Sequence, residues 1–152
     1  MQESNILTIS HNALATYSEL CKPVCKELKI PQTAFDILMF LADHPDYDTA
    51  TEITHHFGIK KNLISMHVDK LVQGGYLTRE SIPGNRRSVR LVVTDKAKPL
   101  IEKGHRASCY YHDYLIKGLS TEEIKIYRKC MSTMASNIEE LADILKKEKE
   151  TF

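Results

Sequence analysis

The sequence predicts a mainly α-helical chain of the α+β class, with one two-stranded β-ribbon set among helices. Three observations carry that prediction. Apolar residues recur every three or four positions before residue 30 and again after residue 95, the period of a helix that buries one face. Between Thr49 and Gly75, start and stop signals spell out a helix, a tight turn and a second helix. A basic segment rich in β-branched and aliphatic residues follows, divided by the turn-forming run Pro83-Gly84-Asn85.

The elements follow in chain order. Ile6, Ile9, Ala13, Tyr17, Leu20, Val24 and Leu28 form one stripe up to Lys29-Ile30-Pro31, where proline ends the helix; Pro23, inside the pattern, should kink or interrupt it. Phe35, Ile37, Leu38, Phe40 and Leu41 predict a second helix buried on much of its circumference and closed by His44-Pro45. Thr49-Ala50-Thr51-Glu52 is a capping box, in which the threonine hydroxyl takes one orphan amide and the glutamate reaches back to another. The helix it starts carries Ile53 and Phe57 and stops at Gly58.

After Ile59 the next helix should bury Ile64, Val68, Leu71 and Val72. Its opposite face then carries Asn62, Ser65, Met66, Asp69 and Gln73, with Lys60 and Lys61 at its beginning and Gly74-Gly75 at its end. Tyr76–Glu80 reads as a strand, Ile82–Arg87 as a turn and Ser88–Val93 as the returning strand. Thr94 is the expected N-cap of a helix bearing Leu100, Ile101, His105, Tyr111, Leu115 and Ile116 and ending at Gly118. A second capping box, Ser120 to Glu123, with a staple between Leu119 and Ile124, opens the last helix. That helix carries Ile124, Tyr127, Met131, Met134, Ile138, Leu141 and Leu145, a stripe too long for a small domain to bury alone.

Helix, turn, helix and basic ribbon, in that order, are the parts of a winged helix-turn-helix. Its outward helix face would meet base edges in the major groove, and Arg86 and Arg87 on the ribbon would suit a narrow minor groove or phosphates. Charge distribution agrees, although the total does not. The whole chain has a net charge of +1, yet from Lys60 to Arg90 seven basic residues face two acidic ones. That segment carries +5 and the remainder −4.

Other classes are excluded or disfavoured. No apolar run approaches the roughly 20 residues that span a bilayer, and no export signal is visible, so a cytoplasmic protein without membrane association is expected. The four cysteines do not form paired zinc-finger spacings. Neither a glycine-rich phosphate loop nor a nucleophile-base motif appears, so neither enzymatic activity nor a cofactor is expected.

The ordered set Thr51-Glu52-Ile53, Gly58-Ile59, Ser65, Val68-Asp69-Lys70-Leu71, Gly75-Tyr76-Leu77, Arg79-Glu80, Asn85-Arg86-Arg87-Ser88 and Val93-Thr94 resembles the MarR family of winged-helix transcriptional regulators over nearly the whole chain. The resemblance implies a homodimer on a pseudo-palindromic double-stranded operator, with repression as the expected action. It implies residues 1–30 and 95–152 as N- and C-terminal dimerisation helices, and residues 31–94 as the DNA-binding winged helix. Expected DNA contacts are Lys60, Lys61, Asn62, Leu63, Ser65, Met66, Lys70, Arg79, Arg86 and Arg87, the last in the position of the family's wing arginine. The chain departs from the family where Asn85 and Ile82 stand in place of aspartates, Met66 in place of a frequent arginine and Leu63 in place of a frequent threonine. An operator sequence therefore cannot be borrowed from relatives.

The resemblance also implies a small, often aromatic effector, for which Tyr17, Phe35, Met39 and Tyr110 are the candidate lining; plain core is the simpler reading of these residues. Two alternatives stay open: a thiol- or zinc-responsive regulator of the same fold, and a winged helix that binds protein instead of DNA. Cys21 and Cys25 share a helix face but suit small core positions. His105, Cys109 and His112 share another face and could ligate zinc, although scattered histidines on an ordinary helix explain them as well. His55 and His56, being adjacent, should lie at the surface in different directions.

Overall fold

A computed structural model describes residues 5–82 and 85–150, with the side chains of residues 82, 85–88, 146 and 148–150 outside the description. The elements are α1 (Ile6–Leu28), α2 (Gln32–Asp43), α3 (Ala50–Phe57), α4 (Lys61–Gln73), β1 (Leu77–Ile82), β2 (Asn85–Val93), α5 (Lys98–Leu115) and α6 (Thr121–Glu150), with a 3-10 turn at Asp95–Ala97. They fall into two compact units, Met1–Tyr111 and His112–Phe152.

In the first unit, α1 begins where the Asn5 side-chain oxygen accepts the Leu7 amide at 3.0 Å. The helix runs through Pro23 without the expected interruption. Pro23 and Glu19, whose carbonyl loses its usual donor, are both exposed, so water can satisfy that acceptor. Lys29 ends the helix at φ 55°, and the Ile30 amide turns back to the Cys25 carbonyl at 3.1 Å. Only the lower part of the predicted stripe is covered. Cys21 and Cys25 are buried and Tyr17, Val24 and Leu28 pack beside them, whereas Ile6 and Ile9 remain about half exposed.

α2 is the centre of the core. Ala34, Phe35, Ile37 and Leu38 are completely buried, and α1, α4 and β2 all pack against this helix. Burial of each such large side chain contributes about 1.5–3 kcal/mol. α5 approaches the same helix through Gly104, where an added Cβ would stand 2.4 Å from Met39 Sδ and 2.9 Å from Phe35 Cζ. A hydrogen there lets the Met39 and Phe35 side chains pack directly on the α5 backbone.

The capping box of α3 forms as read: the Thr49 amide donates to Glu52 Oε2 at 2.9 Å and the Glu52 amide donates to Thr49 Oγ1 at 3.3 Å. Gly58, at φ 61°, closes the helix with its amide on the Thr54 carbonyl. In α4, Ile64, Val68 and Leu71 are buried, which fixes the rotation of the helix about its axis.

β1 and β2 pair antiparallel from Leu77↔Val93 to Ile82↔Asn85, with an irregularity between Ser81 and Ile82. Strand geometry therefore reaches nearer the tip than the expected Ile82–Arg87 turn allowed; Pro83 and Gly84 lie outside the described residues. Asp48 and Thr49 add a short third edge, for the Leu91 amide donates to the Asp48 carbonyl at 2.8 Å and Thr49 bridges Arg90. Thr94 does not cap with its side chain. Its hydroxyl donates instead to the Gly75 carbonyl at 2.7 Å, tying the end of the ribbon to the end of α4.

In the second unit, Gly118 adopts φ 88° and the Ser120–Glu123 box opens α6, with the Ser120 amide donating to Glu123 Oε2 at 2.7 Å. That bond holds the Glu123 carboxyl below its ordinary pKa. Along α6, Ile126, Met131, Ile138, Leu141, Ile144 and Leu145 are all substantially exposed.

The contact at Gly104 has a measurable consequence. Gly104→Ala should lower stability by about 1–3 kcal/mol in urea unfolding, because overpacking outweighs the helix propensity gained. Adding Met39→Ala should make the two effects non-additive, since it vacates the space that the new methyl needs.

Candidate nucleic-acid interface

Burial of Ile64, Val68 and Leu71 leaves the other side of α4 to solvent. Lys60 at its N-cap, Lys61, Asn62, Leu63, Met66, Asp69 and Lys70 are exposed, and Ser65 is half-buried. All the residues expected to face DNA from this helix thus lie on or beside its open surface. Leu63 and Met66, each 42% exposed, are large apolar groups among cations.

Ion pairs redistribute the positive charge that the sequence suggested. Arg79 donates to Asp69 at 2.6 Å, so the ribbon's first strand is tied to α4 and this arginine is already partnered. Arg90 is likewise paired with Asp48, which holds the guanidinium pKa above its ordinary value. Neither Lys60 nor Lys61 forms a salt bridge among the described residues. The backbones of Arg86 and Arg87 belong to β2, while their side chains lie outside the description. Sequence reasoning missed the two anionic partners. Asp69 and Arg79 are ten residues apart, and Asp48 and Arg90 are 42 apart, so only the folded ribbon brings them together.

Behind this surface, α3 is held by aromatic stacking. His56 lies at the surface, as expected, but its ring stacks on Phe40 of α2 at 4.1 Å between centroids, with Phe57 edge-on to both rings. His44 and Tyr47 complete the group. Burial, with lesser contributions from His44 and His55, lowers the His56 pKa. On α4, His67 has its pKa lowered by burial and then by Lys70, and its Nδ1 is buried without a hydrogen-bond partner among the described residues.

The candidate effector residues are only partly brought together. Phe35 and Met39 are buried around Gly104, while Tyr17 is half-buried, bonded to Ser108 Oγ at 3.0 Å and edge-on to Tyr111 at 5.4 Å. Burial pushes the Tyr17 hydroxyl up to about 12. Tyr110 is 61% exposed, and Tyr111 takes the inward position, its hydroxyl donating to the Ala13 carbonyl. The apolar period already puts Tyr111 on the inward stripe, whereas Tyr110 is a candidate through the family resemblance; one residue on a helix is a rotation of about 100°.

The cysteine and histidine candidates lie in different settings. Cys21 and Cys25 are buried thiols whose pKa values are raised by burial, Cys25 to about 11, so the nucleophilic thiolate is disfavoured. Cys109 is exposed. His105 is engaged by Asp43 at 2.7 Å, and among the described residues no cluster of three or more His, Cys, Asp or Glu side chains could hold a metal ion.

Two packed helices with an open second face, followed by a two-stranded ribbon, define a winged helix-turn-helix protein. Residues 28–88 match the model of the MarR family. The fold is similar to that of a MarR crystal structure over 93% of this chain and 95% of that one, with a TM-score of 0.79 at 19% identity. It is also similar to a MarR transcriptional regulator from Methanosarcina mazei, over 90% and 97% of the two chains (TM-score 0.78, 19% identity), and to a MarR protein from Peptoclostridium difficile, over 91% and 90% (TM-score 0.77, 21% identity). Residues 28–88 thus resemble the MarR family, and the fold over most of the chain is the winged-helix fold that these structures share.

His56 and His67 both have pKa values lowered from the ordinary 6.5, so the unfolded chain binds more protons than the folded one near that pH. Their stabilisation is complete above 6.5 and is lost as pH falls through the lowered folded values. Urea midpoints should therefore decrease between pH 7.5 and 5.5, and His56→Gln with His67→Gln should flatten that dependence.

Proposed function

We propose that this protein is a sequence-specific regulator that binds double-stranded DNA as a homodimer and represses the genes whose promoters it covers. One observation carries the reading: α4 is anchored by Ile64, Val68 and Leu71, and leaves Lys60, Lys61 and Asn62 exposed at its start, with no salt bridge to the two lysines among the described residues. Such a helix can enter a major groove, while cations around it neutralise phosphates. Residues 31–94 would be the DNA-binding region, with Lys70, Ser65 and the ribbon residues Arg86 and Arg87 as further contacts. Arg79 would contribute only after leaving Asp69.

Residues 1–30 and 95–152 would form the dimerisation region. Support comes from the apolar faces that each unit leaves open: Ile6, Leu7, Ile9 and Leu14 on α1, and Ile126, Ile138 and Leu141 on α6. Contiguous exposed apolar surface marks an association site, and a second copy matches a two-fold symmetric operator. A small aromatic ligand beside Tyr17, Phe35 and Met39 would release DNA by preferring a dimer with a different spacing of the α4 helices. The cytoplasm, where DNA is accessible and thiols stay reduced, is the proposed location. Among the described residues no helix is long and apolar enough to cross a membrane.

Lys61→Ala should weaken duplex binding at every sequence and reduce the slope of log affinity against log salt by about 1, measured by fluorescence anisotropy. Asp69→Asn should act in the opposite direction, because it removes an anion from the DNA face and releases Arg79. A protein-binding winged helix would instead show negligible, salt-insensitive duplex binding.

Ile138→Lys combined with Leu141→Lys should shift the sedimenting species from dimer to monomer. Far-UV circular dichroism should change little, because both side chains are already exposed within the chain, at 64% and 55%.

A further inference from the structure

We propose that Leu63 and Met66 read the 5-methyl groups of thymines, so that thymines at defined positions of each half-site help to select the operator. This rests on the DNA-binding reading above. Single exposed apolar residues are ordinary on protein surfaces. These two differ in their setting. They stand three residues apart and therefore on one face of α4, each 42% exposed, with Asn62 one turn before Met66 and the exposed Lys60 and Lys61 at the start of the helix.

A surface that is cationic at its margin and apolar at its tips calls for a partner that is anionic outside and carries small apolar groups within. The major groove provides that combination. Among the four bases only thymine presents a methyl group there, and adenine, its partner, presents the N6 donor and N7 acceptor that an asparagine side chain matches. Asn62, one residue before Leu63 and one turn before Met66, therefore favours the same A·T pairs as the two apolar residues do. Neither apolar side chain can discriminate through hydrogen bonds, so the discrimination must come from contact with the methyl groups.

The experiment begins with selection of duplexes from a random pool by the full-length chain. Each thymine of the selected site is then replaced by uracil, which removes the methyl group and keeps the base pair. At one or more thymines per half-site, affinity should fall about fourfold per methyl, the loss that corresponds to uncovering one buried CH₂-sized group. The Leu63→Ala, Met66→Ala double variant should bind the thymine and uracil duplexes equally. Because the uracil exchange alters only the DNA, its readout does not depend on how a variant folds.

A selected site whose affinity is unchanged by uracil at every thymine would overturn the inference and leave the DNA-binding reading standing. The inference would also fall if the double variant still distinguished thymine from uracil. If no duplex is enriched above the starting pool, the DNA-binding reading fails and this inference falls with it.

Discussion

The first unit depends on one constraint: α2 must be covered on nearly every side. Its buried residues run from Ala34 to Leu41, interrupted only by the partly buried Asp36, so the helix cannot rest on a surface with one face in water. α1, α4, β2 and α5 are the cover. Because α4 supplies Ile64, Val68 and Leu71 to the same core, its rotation is set by the demand for burial. Its functional face is simply what remains. A cavity-forming change in α2 would therefore disturb the orientation of Lys61 and Asn62 as well as stability, although neither residue belongs to the core.

A second layer of control comes from bonds that join elements distant in sequence. Thr94 holds Gly75, Asp48 holds Arg90, and Asp69 holds Arg79, so the ribbon is tied to α4 and to the start of α3 at three places. The Arg79–Asp69 pair is about half exposed, and Arg90 reaches solvent although Asp48 is mostly covered; pairs open to water contribute only about 0–1 kcal/mol each. Their importance is geometric. They set the direction in which the ribbon leaves the helices with little stability at stake.

What the sequence disclosed and what it hid divide along sequence separation. Both capping boxes were legible because each partner lies three residues away, and the burial of Ile64, Val68 and Leu71 followed from a period confined to one helix. The third edge at Asp48, the tie between His105 and Asp43 and the packing of Met39 on Gly104 join residues tens of positions apart, where no local pattern exists. That Pro23 does not interrupt α1 has another reason. The cost of a proline in a helix depends on whether water reaches the orphaned carbonyl, and exposure at a single residue is a tertiary property. In the candidate site, Asn62 was readable from the phase of α4, and Lys60 and Lys61 from their place at its start; that Arg79 is already occupied was not.

The pairing of Arg79 with Asp69 bears on how such a surface can be selective. A cation that is already satisfied gives little attraction to an arbitrary phosphate, since binding would have to break one contact to make another. On the proposed reading, Lys60 and Lys61, which form no salt bridge among the described residues, would attract any duplex, whereas a paired arginine would contribute only where the fit is close enough to compensate for its loss of Asp69. On the proposed DNA-binding reading, the arrangement would lower affinity for random sequence more than affinity for a well-fitted one. Selectivity is a difference of affinities, so an acidic residue on a DNA-facing helix can raise it while weakening binding overall. In a chain whose net charge is only +1, restraint of this kind is consistent with a regulator that must leave most of the genome unoccupied.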